Sequence, residues 1–344
     1  MNLSYHKLSN LIRLASAFIF KRGTVYVHYG ITHRCNLSCK MCSIVKNCKE
    51  ESELSLEDID KLFEVLRKSG VIYVSIGGGE PLLREDIVDI AERLVKKGLI
   101  LRLLTNGMLI TQDKARRLSA VGLKDFSVSL DSLNPQRQDE ICNYAGAWRK
   151  IVEALGILSE NITASGRRLL INTVVSSLNI NELPDLSRFA QKNGYFISFV
   201  PLEENISSDL AFKFNDHKRI DESYDALLKL KNNRKSNIFN STDFLERSRR
   251  YLKGQNEHWQ CDAGSLYFSV NPQGKSSICH KFRFEMPGLD KRSPAFFSPN
   301  DFKVARKRLV NECPGCMRPC WREISSLFRN SRSLLEMFRL LANG

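Results

Sequence analysis

The chain of 344 residues has no internal repeat, no low-complexity tract and no apolar run long enough to cross a bilayer. It therefore does not read as a repeat array, a disordered scaffold or a helical membrane span. A Walker-type phosphate loop and a dinucleotide fingerprint are both missing, since Gly77-Gly78-Gly79 lacks the lysine and hydroxyl residue a phosphate loop needs. No small-residue cleavage site follows the apolar stretch near the start, which argues against an export signal. Acidic residues are absent before Glu50, while Lys7, Arg13, Lys21, Arg22 and Arg34 all fall there, so the chain begins with a basic face. Ten cysteines are too few for a disulfide scaffold in a chain this size and too clustered for chance, which points to metal sets in a reducing, cytoplasmic setting.

What is present suits an α/β core with a smaller second unit. Lysine and arginine (52) outnumber aspartate and glutamate (38), giving a net charge of +14 that could attract an acidic peptide, a nucleotide, nucleic acid or an anionic membrane. Residues 1–22 carry Leu8, Leu11, Ile12, Ala15, Phe18 and Ile19 at helical spacing, broken by Arg13. Two readings stand: a helix packed on the outside of the fold, or an interfacial helix making peripheral membrane contact.

Short β-branched runs predict strands near 25–31, 71–76, 99–104, 126–130, 169–175 and 195–200. They alternate with amphipathic stretches at 55–67, 84–97, 111–121, 147–158 and 180–193, the pattern of right-handed parallel βαβ units. Strands of such a sheet are expected to be nearly continuous apolar runs, because both faces are covered. A closed eight-unit barrel takes about 250 residues, and nothing after Val200 is expected to continue the repeat, so residues 23–202 read as a partial, six-stranded barrel. Residues 203–260 read as a charged linker with helices near 224–230 and 242–251, and the basic run Lys229–Lys235 as a solvated face. Residues 261–344 form a last unit: a hairpin about Asn271-Pro272-Gln273-Gly274 and an amphipathic helix from Arg322 to Leu341.

The chemistry gathers at Cys35-Asn-Leu-Ser-Cys39-Lys-Met-Cys42, directly after the first strand. Three thiolates in so short a loop can face one side of an iron–sulfur cubane, which normally takes four, so one iron keeps an open position. A structural zinc knuckle is the other reading, but zinc motifs usually supply two close pairs and no second pair lies nearby. Together with Gly78-Gly79-Glu80-Pro81 after the second strand, this motif resembles the radical S-adenosylmethionine superfamily.

That resemblance implies a partial (β/α)6 TIM-like barrel of α/β class in which a [4Fe-4S] cluster reductively cleaves S-adenosyl-L-methionine to a 5′-deoxyadenosyl radical, which abstracts hydrogen from a substrate. It implies Gly78, Gly79 and Glu80 against the cofactor's amino group, Ser129 and Asp131 at its ribose, and Thr105, Asn106 and Leu202 along methionine and adenine. Met41 stands where the family often has an aromatic residue; a thioether can make a similar contact. Cys261, Cys279, Cys313 and Cys316 resemble the SPASM and twitch domains that hold an auxiliary [4Fe-4S] cluster, with Cys320 a fifth candidate and tetrathiolate zinc the alternative. Cys48 and Cys142 are either inert thiols or the hydrogen donor an epimerase needs.

The expected function is an oxidoreductase or maturase acting on a peptide, a sugar or cyclitol, or a lipid, served by an electron donor such as flavodoxin or ferredoxin. A leader-guided peptide maturase is disfavoured because no peptide-binding domain precedes the barrel. The GTP-cyclising branch is disfavoured because the chain ends Ala342-Asn343-Gly344 rather than in paired glycines. From a different class, a non-catalytic iron–sulfur or zinc protein binding nucleic acid is disfavoured by the carboxylates Glu80 and Asp131 at the mouth.

Overall fold

The structure is a computed structural model that describes residues 24–42, 44, 52–162, 167–202, 216–255, 257–279, 306, 313 and 315–342. The basic N-terminal stretch and Cys48 lie outside these residues.

Strands β1 (Tyr26–Thr32), β2 (Tyr73–Gly78), β3 (Ile100–Thr105), β4 (Asp125–Ser129), β5 (Arg168–Val175) and β6 (Phe196–Pro201) pair in parallel, each with the next in sequence. Helices return the chain between them: α1 (Leu56–Lys68), α2 (Ile87–Lys96), α3 (Gln112–Ala120), then α4 (Pro135–Cys142) and α5 (Ala147–Asn161), then α6 (Leu183–Lys192). The start of α1 is set by Ser55, whose Oγ accepts from the Asp58 amide at 3.2 Å. Ile59, Leu62, Phe63 and Leu66 recur at helical spacing on α1, and all are fully buried. Each such side chain stabilises the fold by roughly 1.5–3 kcal/mol.

The six-stranded expectation is met, with three differences. Helix α4 is additional; Asn134 caps it by accepting from the Arg137 amide at 2.9 Å, and Pro135 sits in its first turn. The sheet also does not stop at β6. Strand β7 (Tyr267–Val270) pairs in parallel with the open side of β1, and β8 (Ser276–Ser277) pairs antiparallel with β7, so the order is β6-β5-β4-β3-β2-β1-β7-β8. The late hairpin is therefore an extension of the same sheet, tied down by the Leu54 amide to Pro272 O at 2.9 Å. Third, the expected long C-terminal helix is two: α9 (Pro319–Leu327) and α10 (Ser331–Ala342). They divide at Asn330, whose side chain accepts from the Arg332 amide at 3.0 Å and starts a new helix.

Residues 216–255 are packed, not a loose linker. Helix α7 (His217–Lys231) buries Ile220, Tyr224 and Leu227, α8 (Thr242–Leu252) buries Phe244 and Leu245, and the Phe239 amide donates to Ile197 O on β6 at 2.7 Å. Even Lys231, within the basic run, is buried, with Nζ donating to Ile238 O at 2.9 Å.

Candidate functional site

Alternation along the strands sends Val27, Tyr29, Ile31, Val74, Ile76, Leu101, Leu103, Phe126 and Val128 toward the helices. The residues between them face the other way, into the sheet's inner side, and they are mostly polar: Tyr26, His28, Tyr73, Ser75, Arg102, Asp125, Ser127, Ser129, Asn172 and Ser198. The expected continuous apolar strands are thus apolar on one face only. Arg102 makes a paired contact with Asp125 at 2.7 and 3.1 Å, and Tyr73 Oη donates to the same carboxylate at 2.6 Å. Nearer β1, Ser75 Oγ lies 2.6 Å from Tyr26 Oη and 2.9 Å from His28 Nδ1. Burial, helped by the charge of Arg318, pulls His28 down to about 4, so the imidazole is neutral at pH 7.

At the carboxyl ends of the strands the loops lock together. The Gly79 amide donates to Thr32 O at 2.7 Å and the Glu80 amide to Arg34 O at 2.8 Å, which lays the β2 loop across the start of the thiol loop. Only glycine permits this. A Cβ on Gly79 would stand 2.0 Å from Arg34 O, and one on Gly78, where φ is +112°, would stand 2.3 Å from Thr32 O. Glu80 is fully buried; Oε1 accepts from the Leu82 amide (3.0 Å) and Thr105 Oγ1 (2.8 Å), and Oε2 from the Asn106 amide (2.7 Å). Burial pushes its carboxyl upward against those bonds. Asn106 then reaches the thiol loop, with Nδ2 2.8 Å from Asn36 Oδ1 and 3.8 Å from Cys35 Sγ.

Of the remaining residues singled out in the sequence, Asp131 is buried, accepts from the Val174 amide at 2.7 Å, and is pushed up to about 7 by burial. Ser129 is half-buried and opposite Asn172, Leu202 is buried with its amide on Val175 O, and Met41 is half-buried in the thiol loop. Glu80 and Asp131 thus hold loops in place. Two residues that sequence reasoning missed do the same. Glu53 joins Thr32 Oγ1, Arg34 and Arg84. Gln138 Oε1 accepts from the Asp131 and Ser132 amides, each at 2.8 Å. No local pattern marks either: the partners of Glu53 lie 19 to 31 residues away, and Gln138 is one polar residue in a mostly polar helix, its acceptor role set by the turn that precedes it.

Cys35 and Cys39 both lie within electrostatic reach of Cys42, and burial raises the Cys35 thiol. In the second set, Cys261 is within reach of Cys279 and Cys313, and Cys316 of Cys279 and Cys261, while Cys320 is within reach of Tyr26. Burial lifts Cys261 to about 11 and Cys316 to about 12. Among the described residues no three histidine, cysteine or acidic side chains converge closely enough to hold a single metal ion. Each thiol set is more open than that and made only of soft sulfur donors, which fits an iron–sulfur group. Among the described residues no helix is long and apolar enough to cross a membrane.

Residues 29–190 match the family described as the radical SAM superfamily. The chain is similar to a probable GTP 3′,8-cyclase of Methanocaldococcus jannaschii, 32% identical over 192 residues, or 54% of this chain and 63% of that protein. It is also similar to a GTP 3′,8-cyclase of Saccharophagus degradans, 26% identical over 85% of this chain and 89% of the relative. The first match thus spans less than two thirds of the relative's length. Among solved structures, Streptococcus suis SuiB bound to S-adenosylmethionine superposes with a TM-score of 0.64 at 16% identity, covering 85% of this chain and 71% of that one. The structure named anSMEcpe with bound AdoMet gives 0.62 at 18%, covering 93% and 98%.

Proposed function

Because residues 29–190 are a radical SAM domain and the chain belongs to that superfamily, we propose that it is a radical S-adenosylmethionine oxidoreductase or maturase acting on a polar substrate at the inner face of the sheet. The arrangement that carries this reading is the thiol loop itself, crossed by the backbone of Gly79 and Glu80 and touched by Asn106, at the carboxyl ends of parallel strands where such folds bind ligands.

Cys35, Cys39 and Cys42 would hold one [4Fe-4S] cluster, and Cys261, Cys279, Cys313 and Cys316 an auxiliary one, leaving Cys320 to Tyr26. When bound, these groups supply one-electron cleavage of S-adenosylmethionine to a 5′-deoxyadenosyl radical, and an acceptor for the substrate's second electron. The chain's own residues do the rest. Gly78 and Gly79 bring backbone close to the cofactor, Glu80 and Asp131 keep their loops from moving, and Ser129, Met41, Thr105 and Leu202 line the space between. Neutral His28, Ser127, Asn172 and Ser198 offer hydrogen bonds to a substrate and would fix one C–H bond near the reacting end. Such a lining suits a peptide, a polyol or a nucleotide better than an isoprenoid tail. An electron donor such as flavodoxin or ferredoxin completes the system.

The test is anaerobic reconstitution with iron and sulfide, followed by dithionite, S-adenosylmethionine and, in separate arms, GTP, a short peptide or a polyol. 5′-Deoxyadenosine should form by mass spectrometry and rise with one substrate class. Asn172→Ala should remove that rise while leaving the substrate-free background. No 5′-deoxyadenosine under any condition would sink the reading and return the chain to a non-catalytic iron–sulfur or zinc protein.

A further inference from the structure

The thiol loop is gripped on its far side by the end of α4. The Lys40 amide donates to Ile141 O at 3.0 Å, Lys40 Nζ meets Glu140 at 2.7 Å, and Asn143 Nδ2 donates to Ser38 Oγ at 3.0 Å. Inside this grip Cys142, only 4% exposed, is brought beside Cys39 by the bond between their neighbours Lys40 and Ile141, so that the two thiols interact.

The direction that a hydrogen bond between the two sulfurs would take follows from Gln138. Its Oε1 is fixed by two amide donors, Asp131 and Ser132, so its Nε2 must point the other way, where it meets Cys142 Sγ at 3.1 Å. Cys142 sulfur therefore accepts from Gln138 and has its own hydrogen left to give. A Cys39 bound to iron is a thiolate with no hydrogen, so Cys142 can only be the donor.

We propose that Cys142 is a positioning residue that donates its S–H to Cys39 Sγ and thereby raises the potential at which the first cluster accepts its electron. This rests on the radical S-adenosylmethionine reading above. Hydrogen bonds to ligating sulfurs are among the levers that set cluster potentials, since they stabilise the more negative, reduced state. Gln138 gives the device a second end, because the same side chain holds the loop carrying Asp131, so the cofactor loop and the cluster loop share one fixed strut. A buried Cys142 whose hydrogen is engaged is also poorly placed to quench a substrate radical.

Cys142→Ala and Cys142→Ser test this by potentiometric titration followed by electron paramagnetic resonance. The alanine variant, with its cluster loaded as in the parent, should disfavour reduction by about tenfold, a shift of about 59 mV to lower potential for one electron. The serine variant keeps an O–H donor and should lie near the parent. An unchanged potential in Cys142→Ala overturns the proposal. A parent chain that takes up no cluster would sink the proposed function instead, and the thiol contact is then judged alone. In a metal-free Cys35→Ser, Cys42→Ser background, diamide should oxidise Cys39 and Cys142 to one disulfide seen by peptide mapping, and its absence overturns the contact.

Discussion

The two thiol sets, each proposed above to hold an iron–sulfur group, are built by opposite routes. The first is one eight-residue loop, Cys35 to Cys42, bonded by Asn106 after β3 and by the end of α4, with the loop after β2 bonded to the residues that lead into it. The second is gathered from just before β7, just after β8 and the approach to α9, around a smaller apolar cluster that includes Tyr26, Tyr267 and Trp321. A compact loop can present three ligands and keep a coordination position open to a reactant. A set of four ligands drawn from distant segments would leave its group no open position, which is the arrangement the proposed electron-transfer role requires.

That contrast can be broken most severely at the first set. Cys35→Ala should lose about four irons per chain and all 5′-deoxyadenosine. Cys313→Ala with Cys316→Ala should also lose about four, but should still cleave S-adenosylmethionine while substrate turnover is lost; iron analysis with product mass spectrometry separates the two. Next in size is Gly79→Ala. The added methyl overlaps the Arg34 carbonyl and must part the β2 loop from the thiol loop, lowering stability by about 3 kcal/mol, read as an earlier urea midpoint.

A smaller difference separates neighbours in the second set. Cys316→Ser should reduce iron content, whereas Cys320→Ser, at a thiol within reach of Tyr26, should leave it within error of the parent. Equal losses would mean that Cys320 is a ligand.

The smallest effect is on pH. Asp131 stands at about 7 in the fold against its ordinary 3.8. It takes up its proton more readily folded than unfolded, so its contribution to stability is fully present below the unfolded value and is lost as pH rises through about 7. Asp131→Asn keeps an acceptor for the Val174 amide and should flatten the parent's decline in stability between pH 5 and pH 8, measured by denaturation of the metal-free chain. A parallel pair of curves would remove Asp131 as the cause.

The difference between the sets also explains what could be seen in the sequence. Strand positions, the barrel class and the thiol spacings are local patterns and were legible. The polar inner face was legible too in Tyr-Val-His-Tyr, Tyr-Val-Ser-Ile and Asp-Phe-Ser-Val-Ser, where alternation stands out once a strand with two covered faces is not assumed. Asn134-Pro135 carried a start signal for α4 that composition obscured, the segment being polar throughout. Glu53 and the pairing of β7 with β1 were not legible, because each depends on a partner tens to hundreds of residues away and on no residue type of its own; Gln138 was not legible because its near partners are backbone amides that only the folded turn points toward it.

That last pairing has a consequence for how the protein is made. Val25, just before β1, is bonded to Leu266 O, 241 residues later, and β1 is flanked by β2 on one side and β7 on the other. At ribosomal rates of about 5–20 residues per second, β7 emerges about 12 to 50 s after β1. Throughout that interval the strand leading into the first thiol loop has one row of amides and carbonyls bare, a template for a wrong strand to join. The late hairpin is thus also the cover that completes the nascent sheet, and a ribosome stalled before residue 267 would release a barrel with an adhesive edge.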